Sequence, residues 1–445
     1  MKLRDVVMGA NASMYRRMDF KKIKGVFYPK TEEDVQAAIL HARENGFDIV
    51  PKGGGSGLSG ACTGGNRERF FISSLQMREI LSISLAGGYA DVQPGVTPNE
   101  VNAKLEPLRM KFWVAPSSRD VATVGGLVST DGGGNDTWIN GTMRDNMLSV
   151  NMLTYEGHHL IVDRNGVTSN NSDLADELNA KGMNLDDVAG SHGTLGFITQ
   201  IRVIIKPLRD LKTKGALIQF DDYDSMGAAI LQTIDRQCPV QYGEAIIVAH
   251  EDIKEGLVPP LLVLEFPVDF ELAFCNAKVR EISRKELEQL QDYRIKLPKR
   301  NPEIGTQVGL FEGYGLHGGS LEHMGNTIQE INNVLMEHGL TPFVKYGHAP
   351  SKWYLGNNSP AYGLVMHSRE IRPAGKTGVE IFRAVEAIVA KCEELNVTPK
   401  PEHKWLYSDD VKKARIQELR EIIGGSFNPF MFEADCASET LSSMV

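Results

Sequence analysis

The chain has 445 residues, 42% of them hydrophobic and 24% charged, with a formal net charge of -9. That is the composition of an ordinary globular protein of roughly two or three domains, and its acidic balance argues against a nucleic-acid surface as the main function. No apolar run approaches a membrane span, the N-terminal MKLRDVVMGANAS lacks the apolar core of a secretory signal, and the five cysteines (Cys62, Cys238, Cys275, Cys392, Cys436) form no CxxC pair, so reduced thiols in a cytoplasm are expected.

Thr31 to Asn45 is predicted to be the first clear helix: Thr31 and Asp34 have the spacing of a capping box, Val35, Ala38, Ile39 and Ala42 share one face, and Gly46 suits the position after the last turn. A strand is expected at Phe47–Val50. It leads into IVPKGGGSGLSGACTGG, Ile49 to Gly65, a density of glycine that is entropically costly and is tolerated where backbone must approach something closely. Successive N–H groups in such a turn make an anion cradle, and the strand-like exit at Phe70–Ser73 separates the stretch from a flexible linker. Gly55 to Gly60 is a formal GxGxxG, but the chain continues ACTGGNRERFF with no helical pattern, so a Rossmann site is rejected.

Tyr89 to Gly95 reads as a strand with a Pro-Gly turn, and Thr97 to Leu105 as a short helix capped by Thr97 with Pro98 at its first position. A second glycine cluster, APSSRDVATVGGLVSTDGGG, occupies Ala115 to Gly134; a third, GSHGTLG, occupies Gly190 to Gly196 and opens a strand ending at Pro207. Three such loops, each beside an apolar segment, fit one extended ligand with a pyrophosphate in its middle and a ring system at each end. Beyond Pro207 the glycine loops thin out. Leu261–Phe266 is predicted as a buried strand, Glu281–Tyr293 as a charged helix, and Leu321–His338 as an amphipathic helix stopped by Gly339. Phe343–Tyr346 is expected to be a strand ending at Gly347-His348, Thr377–Leu395 the longest helix and Asp410–Ile423 the last, with a boundary near Leu208.

From about Phe27 to Pro207 the loops together resemble the FAD-binding domain of the vanillyl-alcohol oxidase and p-cresol methylhydroxylase (PCMH) superfamily, in particular its 2-hydroxy-acid branch of D-lactate dehydrogenase, glycolate oxidase flavin subunit and D-2-hydroxyglutarate dehydrogenase. The family's P-x-GGG-x-G-x-x-G loop matches Pro51 to Gly60, its TxGG…GG loop Pro116 to Gly134, its YGxxRDN segment Asn140 to Asn146 with Asn for Tyr, and its GSEGTLGIIT Gly190 to Thr199 with His192 for Glu. The resemblance implies an α+β fold: a two-subdomain PCMH-type FAD-binding domain (1–208), an α+β cap or substrate domain with an antiparallel sheet (209–400), and a C-terminal segment (401–445) packing back on the FAD domain. It implies FAD held by Pro51, Lys52, Gly53, Gly54, Gly55, Ser56, Gly57, Leu58 and Gly60, by Pro116, Ser117, Thr123, Gly125, Gly126, Ser129, Asp131 and Gly133, and by Gly190, Ser191, Gly193, Gly196 and Ile198. Ser56 stands where some members carry the histidine bonded to flavin, so FAD is expected to be non-covalent.

Toward the C-terminus the family's GHxGDGNLH becomes Gly347-His348-Ala-Pro-Ser-Lys-Trp-Tyr-Leu355, and its SGEHG becomes Lys400-Pro401-Glu402-His403-Lys404. Of the family's metal ligands, two His and a Glu, His348 and Glu402 remain; two ligands rarely make a site, which leaves a divalent metal in doubt. His367 is a conceivable replacement, though spacing alone does not show it. Oxidation of a 2-hydroxy acid moves a hydride to the flavin, the hydroxyl proton to a base and the carboxylate to a cation. His403 after Glu402 is the first candidate for the base and His348 the second; Arg300 is the carboxylate candidate, with Arg372 behind it. A surface role is the competing reading for each. Trp353 and Trp405 wall the pocket or simply pack. Arg144 and Asp145 are expected to form an internal ion pair, His158 and His159 to be exposed, and His317, His323 and His338 to be structural.

The expectation is an FAD-dependent oxidoreductase of a small 2-hydroxy acid resembling D-lactate or glycolate, passing electrons to a quinone, a carrier protein or oxygen. The alternatives are a flavin-binding subunit of a larger complex whose own site has decayed, and a non-redox flavoenzyme resembling alkyl-glycerone-phosphate synthase. A cytoplasmic protein, open to peripheral membrane docking and to a homodimer, completes the expectation.

Overall fold

The Thr31 hydroxyl accepts from the Asp34 N–H at 3.2 Å and the Asp34 carboxylate accepts from the Thr31 N–H at 3.1 Å, so both arms of the capping box are made and the helix runs Glu32–Glu44. This is a computed structural model; it describes residues 20–57, 61–62, 67–114, 116, 118–209, 211–248, 260–296, 307–308, 313–371, 378–399, 410–425 and 427–432. The helix buries Val35, Ala38, Ile39 and Ala42 in a core shared with Ile49, Phe70 and Ile72. Those last residues belong to a parallel three-stranded sheet of β1 (Ile23–Phe27), β2 (Asp48–Lys52) and β3 (Arg69–Ser73), in the order β1-β3-β2.

A second, antiparallel sheet takes β4 (Ile80–Ser84), β5 (Tyr89–Val92), β7 (Met147–Leu153), β8 (His159–Asp163), β9 (Val167–Ser169) and β10 (Phe197–Ile204), in the order β4-β5-β10-β7-β8-β9. A two-residue ribbon joins β6 (Met110–Lys111) to β11 (Lys206–Pro207). The single strand expected to end at Pro207 is thus two: β10 stops at Ile204, Ile205 donates its N–H to the Gly88 carbonyl at 2.9 Å, and pairing resumes with β6. The helix Pro98–Leu105 has the expected Thr97 cap, with Glu100 closing the box.

The third sheet is antiparallel and has nine strands among the described residues: β12 (Thr213–Phe220), β13 (Tyr242–Val248), β14 (Leu261–Pro267), β15 (Ala277–Ile282), β16 (Gln307–Val308), β17 (Gly313–Leu316), β18 (Thr341–Tyr354), β19 (Pro360–Ile371) and β20 (Thr398–Pro399). Alternation along its strands sorts the side chains onto two faces. Ala216, Ile218, Leu262, Leu264 and Phe266 join the core beneath helices Tyr223–Asp235 and Met324–Glu337, while Leu217, Leu261 and Val263 take the opposite face with Leu287 of helix Arg284–Lys296. On that second face the register places Glu244 beside Val263 and His348, and His348 beside Val365.

Three boundaries differ from expectation. Glu281 belongs to β15, and the charged helix starts at Arg284, where the Ser283 hydroxyl accepts from the Glu286 N–H. Leu321–His338 is two helices, Gly319–Glu322 and Met324–Glu337, which meet at His323. The strand at Phe343 runs on past His348 to Tyr354; its alternation is broken between His348 and Ser351, where Pro350 has no N–H to offer the ladder.

The expected Arg144–Asp145 pair is not formed, because neighbours in one short turn point different ways. Buried Arg144 instead pairs with Asp131 (Nε to Oδ2, 3.1 Å), whose Oδ1 also accepts from the Arg144 N–H and the Thr142 hydroxyl. Asp145 accepts from the Thr142 N–H and receives the Lys352 ammonium (2.7 Å) and the Tyr354 hydroxyl from β18. The Arg144 guanidinium also lies over the Tyr354 ring at 4.4 Å and donates to Asn358 Oδ1 at 2.7 Å, which clamps the tip of the β18–β19 hairpin onto the turn at Met143–Asn146. From the other end of the chain, helix Asp410–Ile423 sends Ile416, Leu419 and Ile423 into the core of the second sheet, and the Asn428 N–H donates to the Ile49 carbonyl at 2.9 Å. No helix among the described residues is long and apolar enough to cross a membrane.

Replacing Arg144 with Met strands the Asp131 carboxylate in a buried site and is expected to cost about 3–5 kcal/mol, whereas Lys352→Met at the half-open end of the same network should cost about 1 kcal/mol or less. Urea denaturation of the two variants checks both figures.

Candidate flavin and substrate site

The three glycine loops converge. A Cβ on Gly53 would overlap the Thr123 hydroxyl oxygen and one on Gly54 the Val121 carbonyl oxygen, so the first loop lies against the second at a distance only glycine permits. A Cβ on Gly193 would touch Pro51 at 3.3 Å, and the third loop is tied to the second by the His192 N–H on the Ser129 carbonyl (2.7 Å) and the Gly190 N–H on that of Val128 (3.1 Å). Thr123 caps helix Val124–Thr130 by accepting from the Gly126 N–H at 3.2 Å, and Gly125 is packed against Pro94. Pro116, Asp131, Gly133, Ser191, Gly196 and Ile198 are buried around this junction, as is Lys52. By contrast Gly53 to Gly57, Ser56 included, stay partly open, and a Cβ on Gly57 would meet nothing nearer than the Thr130 methyl at 4.0 Å. Backbone packed tight on one side and open at Gly57 is a cradle that side chains would fill, and it fits a dinucleotide. Leu58, Gly60 and Ser117 lie outside the described residues.

The segment after the second glycine loop carries the site to the large sheet. Asn135 donates through Nδ2 to the Gly243 carbonyl at 3.3 Å and to the Glu244 carboxylate. Glu244 Oε2 lies 3.6 Å from His348 Nδ1, and both residues are buried. The His348 and His367 rings meet edge to face at 5.4 Å, and His367 stacks on Tyr346 at 5.4 Å. Next along, the Thr137 and Ser351 hydroxyls bond at 2.7 Å and the Trp138 indole N–H donates to the Cys238 carbonyl at 2.6 Å. Asp136, between Asn135 and Thr137, has Oδ1 buried without a hydrogen-bond partner among the described residues. Burial pushes its carboxyl up to about 6, against the opposing fields of Lys111 and His348. A buried His beside a carboxylate is a candidate to take a proton.

Of the predicted catalytic residues the structure places only His348 here. Arg300, Glu402 and His403 lie outside the described residues, as do Arg372 and Trp405. Trp353 is fully buried in a small cluster with Ala361 and Val365, and the edge of His317 meets its ring at 5.9 Å; burial pushes the His317 pKa down. His158 and His159 are half-buried rather than exposed, with His159 Nε2 at 3.6 Å from Glu32. Among the described residues no group of three or more His, Cys, Asp or Glu is arranged to hold a metal ion. Sequence reasoning missed Glu244, Asn135 and Asp136. A carboxylate within the apolar strand YGEAIIV was a usable signal; the Asn-Asp that ends the second glycine run was a weaker one.

Residues 23–163 match the family of the FAD binding domain. An uncharacterised FAD-linked oxidoreductase of Mycobacterium tuberculosis is 30% identical over 206 residues, 45% of this chain and 41% of that protein. Glycolate oxidase subunit GlcD of Escherichia coli is 27% identical over 205 residues (46% and 39%), and D-lactate dehydrogenase of Archaeoglobus fulgidus 30% over 267 residues (58% and 56%). The chain therefore spans about half or less of the length of these curated relatives. In fold it is similar to the solved structure of an alkyldihydroxyacetonephosphate synthase, with a TM-score of 0.65 and 16% identity over 91% of this chain and 76% of that one. The chain carries a PCMH-type FAD-binding domain, and FAD is its cofactor.

Gly54→Ala drives a methyl into the Val121 carbonyl and is expected to destabilise the fold by about 1–3 kcal/mol and to lower the FAD-to-protein ratio read from the visible spectrum. For Asp136 the folded pKa of about 6 exceeds the ordinary carboxylate value of 3.8, so ionisation is penalised in the fold: the penalty is absent at acid pH and grows as pH rises through 6. Asp136→Asn should therefore leave stability near wild type at about pH 4 and raise it by about 1–3 kcal/mol at about pH 8, measured by urea denaturation at both.

Proposed function

We propose that this protein is an FAD-dependent oxidoreductase that oxidises a small 2-hydroxy acid, with residues 1–208 holding the flavin, 209–400 forming the cap and 401–445 returning to the flavin unit. The observation that carries the reading is the buried His348–Glu244 pair on the face of the large sheet, tied by Asn135 to the second glycine loop. Bound FAD supplies the two-electron acceptor. Pro51 to Gly57, Thr123 to Asp131 and Gly190 to Ile198 would hold it, and Ser56 would offer no covalent bond to it. His348 takes the substrate's hydroxyl proton. The Glu244 carboxylate stands 3.6 Å from Nδ1 behind the imidazole, and Asn135 donates to that carboxylate. Trp138, edge-on to Tyr362 at 5.8 Å, closes the flank between the helix at Thr137–Asn140 and β19 and limits water. Relatives named glycolate oxidase subunit and D-lactate dehydrogenase support a small acid as substrate. Reoxidation then falls to a quinone, a carrier protein or oxygen.

Anaerobic addition of glycolate, D-lactate, L-lactate and D-2-hydroxyglutarate to the FAD-loaded protein tests this. At least one should bleach the visible flavin band; if none does while FAD is fully bound, the reading gives way to a flavin-binding subunit. His348→Gln should lower the bleaching rate by about 10²–10⁴-fold at unchanged FAD content. Acid precipitation should leave the FAD in the supernatant.

A further inference from the structure

The turn at Phe427–Met431 meets the flavin cradle at one side chain, which has no role in the reading above. Phe427 forms a parallel bridge with Ile49, joins the core of Ile49, Phe70 and Ile72, and meets the Tyr155 ring edge-on at 6.1 Å. Asn428 then turns the chain into the short helix Pro429–Met431 with φ 42° and ψ 47°, a left-handed conformation that glycine and asparagine adopt most readily. It is 1% exposed. Its N–H donates to the Ile49 carbonyl at 2.9 Å, just ahead of Pro51, where the first glycine loop opens. Its side-chain Nδ2 donates to the His192 carbonyl of the third loop at 2.8 Å. His192, itself left-handed at φ 55°, donates its N–H to the Ser129 carbonyl of the second. A single run of hydrogen bonds, Ile49 to Asn428 to His192 to Ser129, thus links the segments that carry all three loops. The approach is close: a Cβ on Gly193 would lie 3.3 Å from Pro51 and 3.6 Å from Asn428 Nδ2.

A carbonyl oxygen only accepts, so the half of the Asn428 amide that faces His192 is Nδ2. Oδ1 points elsewhere and is buried without a hydrogen-bond partner among the described residues. An oxygen left that way costs free energy that glycine would not incur, and glycine adopts the same φ more easily. What the side chain supplies against that cost is the bond to His192. We propose that Asn428 is a positioning residue of the flavin site: through His192 it holds the third glycine loop at a fixed distance from the first, and retention of FAD depends on it. The bond to Ile49 seats the turn on β2, and the amide passes that seat on to the loop. Without the amide, Gly190–Gly196 is free to draw away from Pro51, and the cradle widens. The assignment rests on FAD as the cofactor and on nothing about the substrate, so it and the 2-hydroxy-acid reading fail separately.

Titration of the FAD-depleted full chain with FAD, and the rate at which the loaded protein releases FAD, test this without turnover. Asn428→Gly keeps the left-handed turn and its bond to Ile49 and removes only the side chain. Its Kd for FAD should rise roughly 10-fold, with faster release. Asn428→Ala removes the same amide without adding charge but strains the turn, so it should show the same rise in Kd at a lower stability to urea. Ile416→Val, in the core of the second sheet and away from the loops, is the control: it should lower stability and leave Kd within about 2-fold of wild type. Hydrogen exchange in FAD-free Asn428→Gly should quicken across Gly190–Gly196 and stay unchanged in β12 and β14. A Kd within about 2-fold of wild type in both Asn428 variants, or one that tracks stability and rises as much in Ile416→Val, overturns the proposal. Exchange that quickens throughout the chain does so too. Should Asn428→Ala fail to fold, Asn428→Gly decides, read by FAD release from protein purified with the flavin bound.

Discussion

The buried pair of Asp131 and Arg144 holds the site in register. Asp131 accepts from the Thr142 hydroxyl, the Arg144 N–H and the Arg144 side chain, which closes Asp131–Asn146 into a loop of fixed shape. That loop presents Asn135 to Glu244, and Thr137 and Trp138 to the large sheet. The same guanidinium reaches across to Tyr354 and Asn358, so the tip of the hairpin that carries His348 is docked by the group that shapes the loop. A buried ion pair is weak evidence for stability, since hydrophobic replacements are often as stable; its better-attested use is to specify one arrangement. Here the arrangement specified is the approach of the glycine loops to the sheet.

What could be read from the sequence divides along the same line. Features that arise within a few residues were legible: the capping box at Thr31, the Thr97 cap, the strand at Leu261, the helix at Asp410–Ile423, and the glycines whose absent side chains let the loops meet. Features that depend on which strands become neighbours were not. Glu244 and His348 lie far apart in the chain and become partners only because β13 pairs with β18 in one register; a slip of one residue would turn both into the core on the far side. Arg144 and Asp145 show the converse. Adjacency suggested a pair, and the turn geometry sent one to Asp131 and the other to Lys352 and Tyr354. β18 outruns the expected Phe343–Tyr346 because its ladder with β19 resumes at Ser351, beyond Pro350.

The two sides of the site are built on different physical grounds. The flavin side is mostly backbone: glycines packed against carbonyls, with Thr123 and Ser129 hydroxyls turned onto their own helix. Such a surface holds a large ligand by shape and by N–H groups and carries little charge of its own to disturb it. The opposite side concentrates the ionisable groups, His348 with Glu244 on the sheet and Lys111 with Asp136 at the edge. Groups held in such surroundings respond strongly to one another, because the low local dielectric that raises Asp136 also strengthens their fields. One loop, held in shape through Asp131, bonds Asn135 to Glu244 beside the proposed proton acceptor and carries Asp136, whose carboxyl burial keeps raised.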